Sequence, residues 1–236
     1  MDLVVDGIVK AFWLLVKGDR EMIRIAVLTL RVSGLATIIS LLIGVPLGTV
    51  LALWAFRGRH AAASLVNTGM GLPPVVVGLW VSILLWRYGP LGFLHLMYTP
   101  AAMVIAQTII AIPIVAGFTM AGIGQLDSGL RLQILALGAS WWQMLWILLR
   151  EARLSVAAAV IAGFGRVISE IGASMMVGGN ILGQTRVLTT ATALEVSRGN
   201  FGMAIALSII LLGISYAVTS GLTYLQHKGR HVSDGA

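Results

Sequence analysis

Long apolar stretches, each closed by a short polar or charged segment, set the pattern of this chain. Residues 3–17 are apolar but carry Asp6 and Lys10. They are too short and too charged to cross a bilayer, so they predict a helix lying on one membrane surface. A first span is predicted over about 25–56, uncharged from Val32 onward. Within it, Gly44 and Gly48 have the spacing that lets two helices approach closely, although glycine is common enough in membrane helices for chance to produce it. Pro46, between them, is expected to bend the helix. A second span, about 62–86, contains Pro73 and Pro74 near mid-depth, where they remove backbone donors and break the hydrogen-bond ladder. Such breaks are tolerated where they line a cavity or are buried in protein. A third span, about 100–123, has Gln107 and Thr108 as its polar residues and a kink expected at Pro113. The fourth starts near Leu154 and is interrupted by Arg166, Ser169 and Glu170 before an apolar run resumes to Gly178. The fifth covers 201–225.

Between the third and fourth spans, charges and amides return at helical spacing over residues 125–153. The pattern predicts two short helices hinged at Gly138, with Ser140 capping the second and Gln143 at the capping-box position. A hairpin of this size cannot span a bilayer; it is expected to be a docking surface.

Composition agrees. Of 236 residues 58% are hydrophobic and 11% charged, against about a quarter charged in soluble domains. Each span is long enough for a hydrocarbon core of ~30 Å, which takes ~20 helical residues. The net charge of +7 reads as topology rather than as nucleic-acid binding, because Lys and Arg gather in cytoplasmic loops. Five spans place the termini on opposite sides. The basic residues then tie between sides, but Arg57, Arg59, Lys228 and Arg230 lie tight against span ends, which favours a cytoplasmic hairpin and C-terminus and an outside N-terminus.

Candidate chemistry is sparse. Cysteine is absent, so no thiolate site exists. No phosphate-loop glycine motif, paired-histidine metal spacing or nucleophile elbow occurs. No cofactor, metal or catalytic residue is implied. Arg166 and Glu170, four apart, would share one helix face, either as a functional intramembrane pair or as an ion pair that fixes helix rotation. A proton-coupled carrier using Glu170 is a rival reading, although five spans do not divide into the matched halves such carriers usually have. A structural or assembly protein is a third class, which would need neither the Pro-Pro break nor the buried charges. Residues 181–200 are polar and threonine-rich, with a short surface helix possible over 187–196.

At the hairpin the sequence resembles permease subunits of binding-protein-dependent ABC importers. Gly138 matches the loop glycine of that family, and Ile147 with Leu149 match its closing segment. Leu132, Gln133 and Ile134 stand where the family has Glu-Ala-Ala, and Arg150 replaces its proline. The stretch Leu72, Pro73, Pro74, Val75, Val76, Val77, Gly78 is similar to the oxyanion permeases of the molybdate and sulfate branch. The run from Arg166 and Glu170 through Gly178, Gly179 and Asn180 to Thr185, Arg186, Thr189 and Thr190 is similar to tungstate permeases.

This resemblance implies an all-α, type I importer-like membrane protein of the bacterial plasma membrane with about five transmembrane helices. It has an N-terminal interfacial helix (1–21), a transmembrane domain (22–225) that includes the coupling hairpin, and a cytoplasmic tail (226–236). It implies a homodimer, two ATP-binding cassette subunits that hydrolyse the ATP, and an extracytoplasmic oxyanion-binding protein. The cargo implied is tungstate, with molybdate or sulfate as alternatives. Leu137, Gly138, Ala139, Ser140 and Trp141 are expected to meet the ATPase subunit. Pro73, Pro74, Val75, Val76 and Val77 are expected at the gate, a packing kink being the alternative. Gly178, Gly179, Asn180, Thr185, Thr189 and Thr190 are expected to contact the binding protein, an ordinary loop being the alternative.

Overall fold

The computed structural model describes residues 2–231, and among them the chain is helical with no β-strand. The helices are α1 (Asp2–Val16), α2 (Arg20–Leu53), α3 (Arg59–Met70), α4 (Pro74–Leu85), α5 (Pro100–Gly124), α6 (Ser128–Ala136), α7 (Trp141–Glu151), α8 (Arg153–Ile168), α9 (Gly172–Gly178), α10 (Leu188–Ser197) and α11 (Phe201–His231). Residues 232–236, the end of the expected tail, lie outside the described residues. The helix of the last span continues through His231, past its expected end at 225.

Among the described residues three helices are long and apolar enough to cross a membrane: α2, α5 and the Phe201–Tyr224 part of α11. Two further crossings are possible as bent pairs, α3 with α4 at 103° and α8 with α9 at 58°. The second expected span is thus broken at its two prolines, as the sequence indicates, and the fourth is broken between Ile168 and Gly172.

α5 is the axis of the bundle, and α2 lies along it. Gly44 and Gly48 are what allow this. A Cβ on Gly44 would come within 2.8 Å of the Val115 side chain, and one on Gly48 would collide with the Ala116 carbonyl oxygen. The small-residue spacing is a real close approach. α2 stays one helix through Pro46, and α5 through Pro113. Inside α2 the buried hydroxyls of Thr29, Thr37 and Ser40, and that of Thr49, donate to carbonyls three or four residues earlier, so they need no water. Asp19 caps the start of α2 by accepting from the Met22 N–H at 2.8 Å. α2 begins five residues before the expected span and carries an exposed Arg31.

α1 packs on the start of α11, where Gly7 meets Ile205 and the Gly202 carbonyl. α10 is no loose surface helix. Leu188, Thr189, Thr190 and Ala191 are buried, and the Leu188 N–H donates to the Thr29 hydroxyl of α2 at 2.9 Å.

Candidate functional site: a hinged hairpin and two broken helices

The hairpin forms at one end of the bundle. Gly138 adopts φ +81°, a left-handed conformation glycine takes without cost, and turns the chain from α6 into α7. Ser140 then starts α7 with a complete capping box: its hydroxyl accepts from the Gln143 N–H, and the Gln143 side chain accepts from the Ser140 N–H at 2.7 Å. This fixes which face of α7 points inward. Met144 and Leu148 are buried with Ile134 of α6, packed against Leu53, Leu126 and Leu130.

Two arginines tie this end together. Arg131 of α6 donates to the Leu53 carbonyl at 2.9 Å. Arg59 of α3 donates to the Leu51 carbonyl at 2.7 Å and to that of Ala52 at 3.3 Å. The last carbonyls of α2 have no partner within their own helix, so cations there both satisfy them and meet the negative end of the helix dipole. Trp141 packs against Trp54, which follows α2, with ring centroids 4.9 Å apart and the planes tilted by 44°, and lies beneath the Arg131 guanidinium. Trp141, expected at a docking face, therefore points into the hairpin's own anchor. The outward apolar groups are Leu132, Leu137, Trp142 and Trp146, between 63% and 87% exposed. Leu137, Gly138, Ala139 and Trp142 line a shallow depression there.

The two broken helices meet each other deeper in the molecule. A Cβ on Gly78 of α4 would come within 2.7 Å of the Ala173 Cα in α9, and one on Gly172 would come within 2.6 Å of the Val75 side chain. The two breaks are thus side by side. Val77 is buried in this contact, while Pro73, Val75 and Val76 of one break and Ile171 and Met175 of the other stay exposed. Behind them, Gln107 of α5 donates to the Ser174 hydroxyl at 3.1 Å, and its own oxygen has no partner.

Glu170 corrects an expectation. α8 ends at Ile168, so Arg166 and Glu170 do not share one helix face, and no ion pair joins them among the described residues. Glu170 is buried, and its carboxyl accepts from the Ala173 N–H at 2.9 Å. It closes the start of α9. The Ser169 hydroxyl closes the end of α8 by donating to the carbonyls of Gly165 and Arg166.

The family description "binding-protein-dependent transport system inner membrane component" matches residues 44–231. The chain belongs to that family. It is 39% identical over 228 residues to the tungstate uptake system permease protein TupB of Peptoclostridium acidaminophilum, covering 97% of this chain and 100% of that protein. It is 33% identical over 228 residues to the protein of the same name from Campylobacter jejuni, covering 97% and 94%. Among solved structures, a chain of the MetNI methionine ABC transporter in inward-facing conformations superposes with TM-score 0.71 at 20% identity, covering 92% of this chain and 97% of that one. This last likeness shows the type I importer permease fold.

In this inner membrane component the threonines expected to meet a binding protein turn inward. Thr185 and Thr190 are fully buried, and Thr189 is 4% exposed. Thr185 donates to the Gly178 carbonyl and accepts from the Ile181 N–H, and Thr189 donates to the Glu170 carbonyl at 3.0 Å. Thr190 bonds both backbone groups of Val187. They latch the loop after α9 because a buried hydroxyl without water must bond backbone. Gly178 is buried too; Gly179, with φ +70°, is exposed, and Asn180 is half-buried and donates to the Thr190 carbonyl. The exposed part of this loop is Ile181, Leu182, Gly183 and Gln184. Sequence reasoning missed Arg59, Arg131 and Ser169 as helix-end partners. Only the place of Arg59, tight against a span end, hinted at such a role. Among the described residues no cluster of His, Asp and Glu is placed to hold a metal ion.

Proposed function

We propose that this chain is the membrane permease of a tungstate importer, working as a homodimer with two ATP-hydrolysing subunits and an outer binding protein. The hairpin faces the cytoplasm and receives the motion of the ATPase through Leu137, Gly138, Ala139 and the outward residues Leu132, Trp142 and Trp146. The observation that carries this reading is the hairpin's construction. A phase-locked helix presents the exposed Trp142 and Trp146, while its Trp141 and Arg131 of the neighbouring α6 bind the hairpin to the end of α2. An apolar patch of this kind on a small hairpin marks a protein contact, and the long rod of α2 carries displacement into the bundle. The full-length likeness to the two TupB proteins supports tungstate as cargo.

The adjacent breaks at Pro73 and Glu170 form the moving part of the path. Their exposed face, with Val75, Val76, Ile171 and Met175, meets the second copy around the central axis. The decisive experiment reconstitutes the permease with its ATPase and binding-protein partners in vesicles and follows tungstate uptake, with molybdate and sulfate as competitors. ATP-dependent tungstate uptake that needs the binding protein is expected. Uptake by the permease alone, driven by a pH gradient and lost in Glu170→Gln, would instead establish the proton-coupled carrier.

A further inference from the structure

The end of α2 away from the hairpin holds a cavity of about 320 Å³. Its charged lining is Arg20, Arg24 and Arg186 with one carboxyl, Glu21, set against the side chains of Leu28 and Leu182. Positive groups therefore exceed negative ones by two. The neighbouring carboxyls are already engaged. Asp19 caps α2, and Glu195 is paired with Arg198 at 3.0 Å and accepts from Asn200 at 2.7 Å. Arg186 makes one long hydrogen bond, from Nη2 to the Asn180 carbonyl at 3.4 Å. Its Nε is sealed from solvent and has no partner. A guanidinium N–H left unpaired out of water is costly, and here it stands at the edge of a cation-lined space. A Cβ on Gly183 would sit 3.8 Å from an Arg24 guanidinium nitrogen, so the loop bearing Arg186 and the first turns of α2 converge on the same cavity.

Depth along α2 narrows the ligand. Residues 32–53 carry no charge and as helix cover ~33 Å, the thickness of the hydrocarbon core. Arg31, Arg24 and Arg20 are exposed before that run, while Met22 and Ile25 pack with Ala206, Leu207 and Ile210 of the last span. The cavity thus opens at the membrane–water boundary, where its exposed arginines reach water. Its volume is that of roughly ten water molecules, enough for a small anion that keeps part of its hydration.

We propose that the cavity formed by Arg20, Arg24 and Arg186 receives a small, multiply charged tetrahedral oxyanion from the aqueous side, at the outer mouth of the permease. This rests on the reading above for which end faces out and what is carried. Arg20 and Arg24 are exposed, so their attraction is screened and the binding is weak and salt-sensitive. That suits a way station that must release its load.

The test uses the permease assembled with its ATPase subunits in nanodiscs, without binding protein, and measures equilibrium binding of inorganic tungstate. Saturable binding that weakens with salt is expected. In the Arg20→Gln/Arg24→Gln double variant it should fall about tenfold or more, the scale of losing charge-assisted contacts. Arg186→Lys, which keeps the charge but loses the planar fork, should bind more weakly than wild type and more tightly than Arg186→Gln. Replacing phosphatidylcholine with phosphatidylglycerol should leave tungstate binding unchanged. No saturable binding to the wild type, or equal binding by the double variant, overturns the proposal. Binding abolished by phosphatidylglycerol also overturns it, because a lipid phosphate then occupies the cavity. Co-purification with the ATPase, whose proposed contact lies at the other end, checks that the variants are folded. The transport reading is judged separately by ATP-driven uptake in the wild type with binding protein. Failure there sinks that reading, whereas wild-type uptake with unaltered tungstate binding in the double variant sinks only the cavity.

Discussion

The two broken helices meet the same difficulty in opposite ways. Interrupting a helix away from water frees backbone donors and acceptors that must find partners. Between α3 and α4, Pro73 and Pro74 have no N–H to orphan, and the N–H groups of Val76 and Val77 both donate to the Pro73 carbonyl. Between α8 and α9 the donors remain, and side chains take them up. Glu170 accepts from Ala173, and Ser169 covers the carbonyls that α8 leaves open. One break removes the need for partners; the other imports them. The first is a property of the backbone and survives changes around it. The second depends on one buried carboxyl keeping its place.

The comparison breaks most readily where the two meet. Gly78→Leu places a side chain where Ala173 already stands. Overpacking of this sort costs about 1–3 kcal/mol; thermal unfolding of the purified permease should show the loss, and uptake should fall with it. A normal unfolding temperature would mean the two breaks are not packed together. Glu170→Leu leaves the Ala173 N–H without a partner, at a cost of about 1–3 kcal/mol. Glu170→Gln keeps an acceptor and should stay within about 1 kcal/mol of wild type. Equal unfolding temperatures for the two variants would remove the capping role. Arg131→Met, which frees the Leu53 carbonyl and uncovers Trp141, should cost about 1 kcal/mol and let ATP hydrolysis run with less transport per ATP. Trp142→Ala should weaken ATPase association with little change in unfolding, and Trp141→Ala should do the reverse; co-purification read beside melting separates them. The smallest effect is expected from Pro74→Ala. It restores one donor at the first position of α4, where an N–H is unsatisfied in any helix, and should change stability by less than about 1 kcal/mol.

The same contrast explains what could be read in advance. The Pro-Pro break and the Gly138–Ser140 turn are written in adjacent residues, because proline chemistry, a left-handed glycine and a capping box act over one to four positions. The break at Glu170 was visible only as an odd charge in an apolar run. An acid four residues after an arginine reads as a salt bridge on a continuous helix, and only the end of α8 at Ile168 changes its partner. The threonines of the following loop were legible as polar, hence as surface. Their burial follows from backbone groups that need them, in a turn the sequence does not spell out. The phase of α7 was implicit in its cap, yet that Trp141 points inward and Trp142 outward required the position of Trp54.

By itself the sequence determined that this is a helical membrane protein with about five apolar crossings, a mid-membrane proline break and a capped hairpin. Each is a local consequence of desolvation or of backbone chemistry. The tertiary structure alone decided which groups share an environment. Arg131 reaches the end of α2 across 78 residues of sequence, and α10 binds Thr29 across 159. The same folding brings Arg186 beside Arg20 and Arg24. Charges and donors so far apart in the chain acquire a role only when packing fixes their distance and excludes the water that would otherwise serve them.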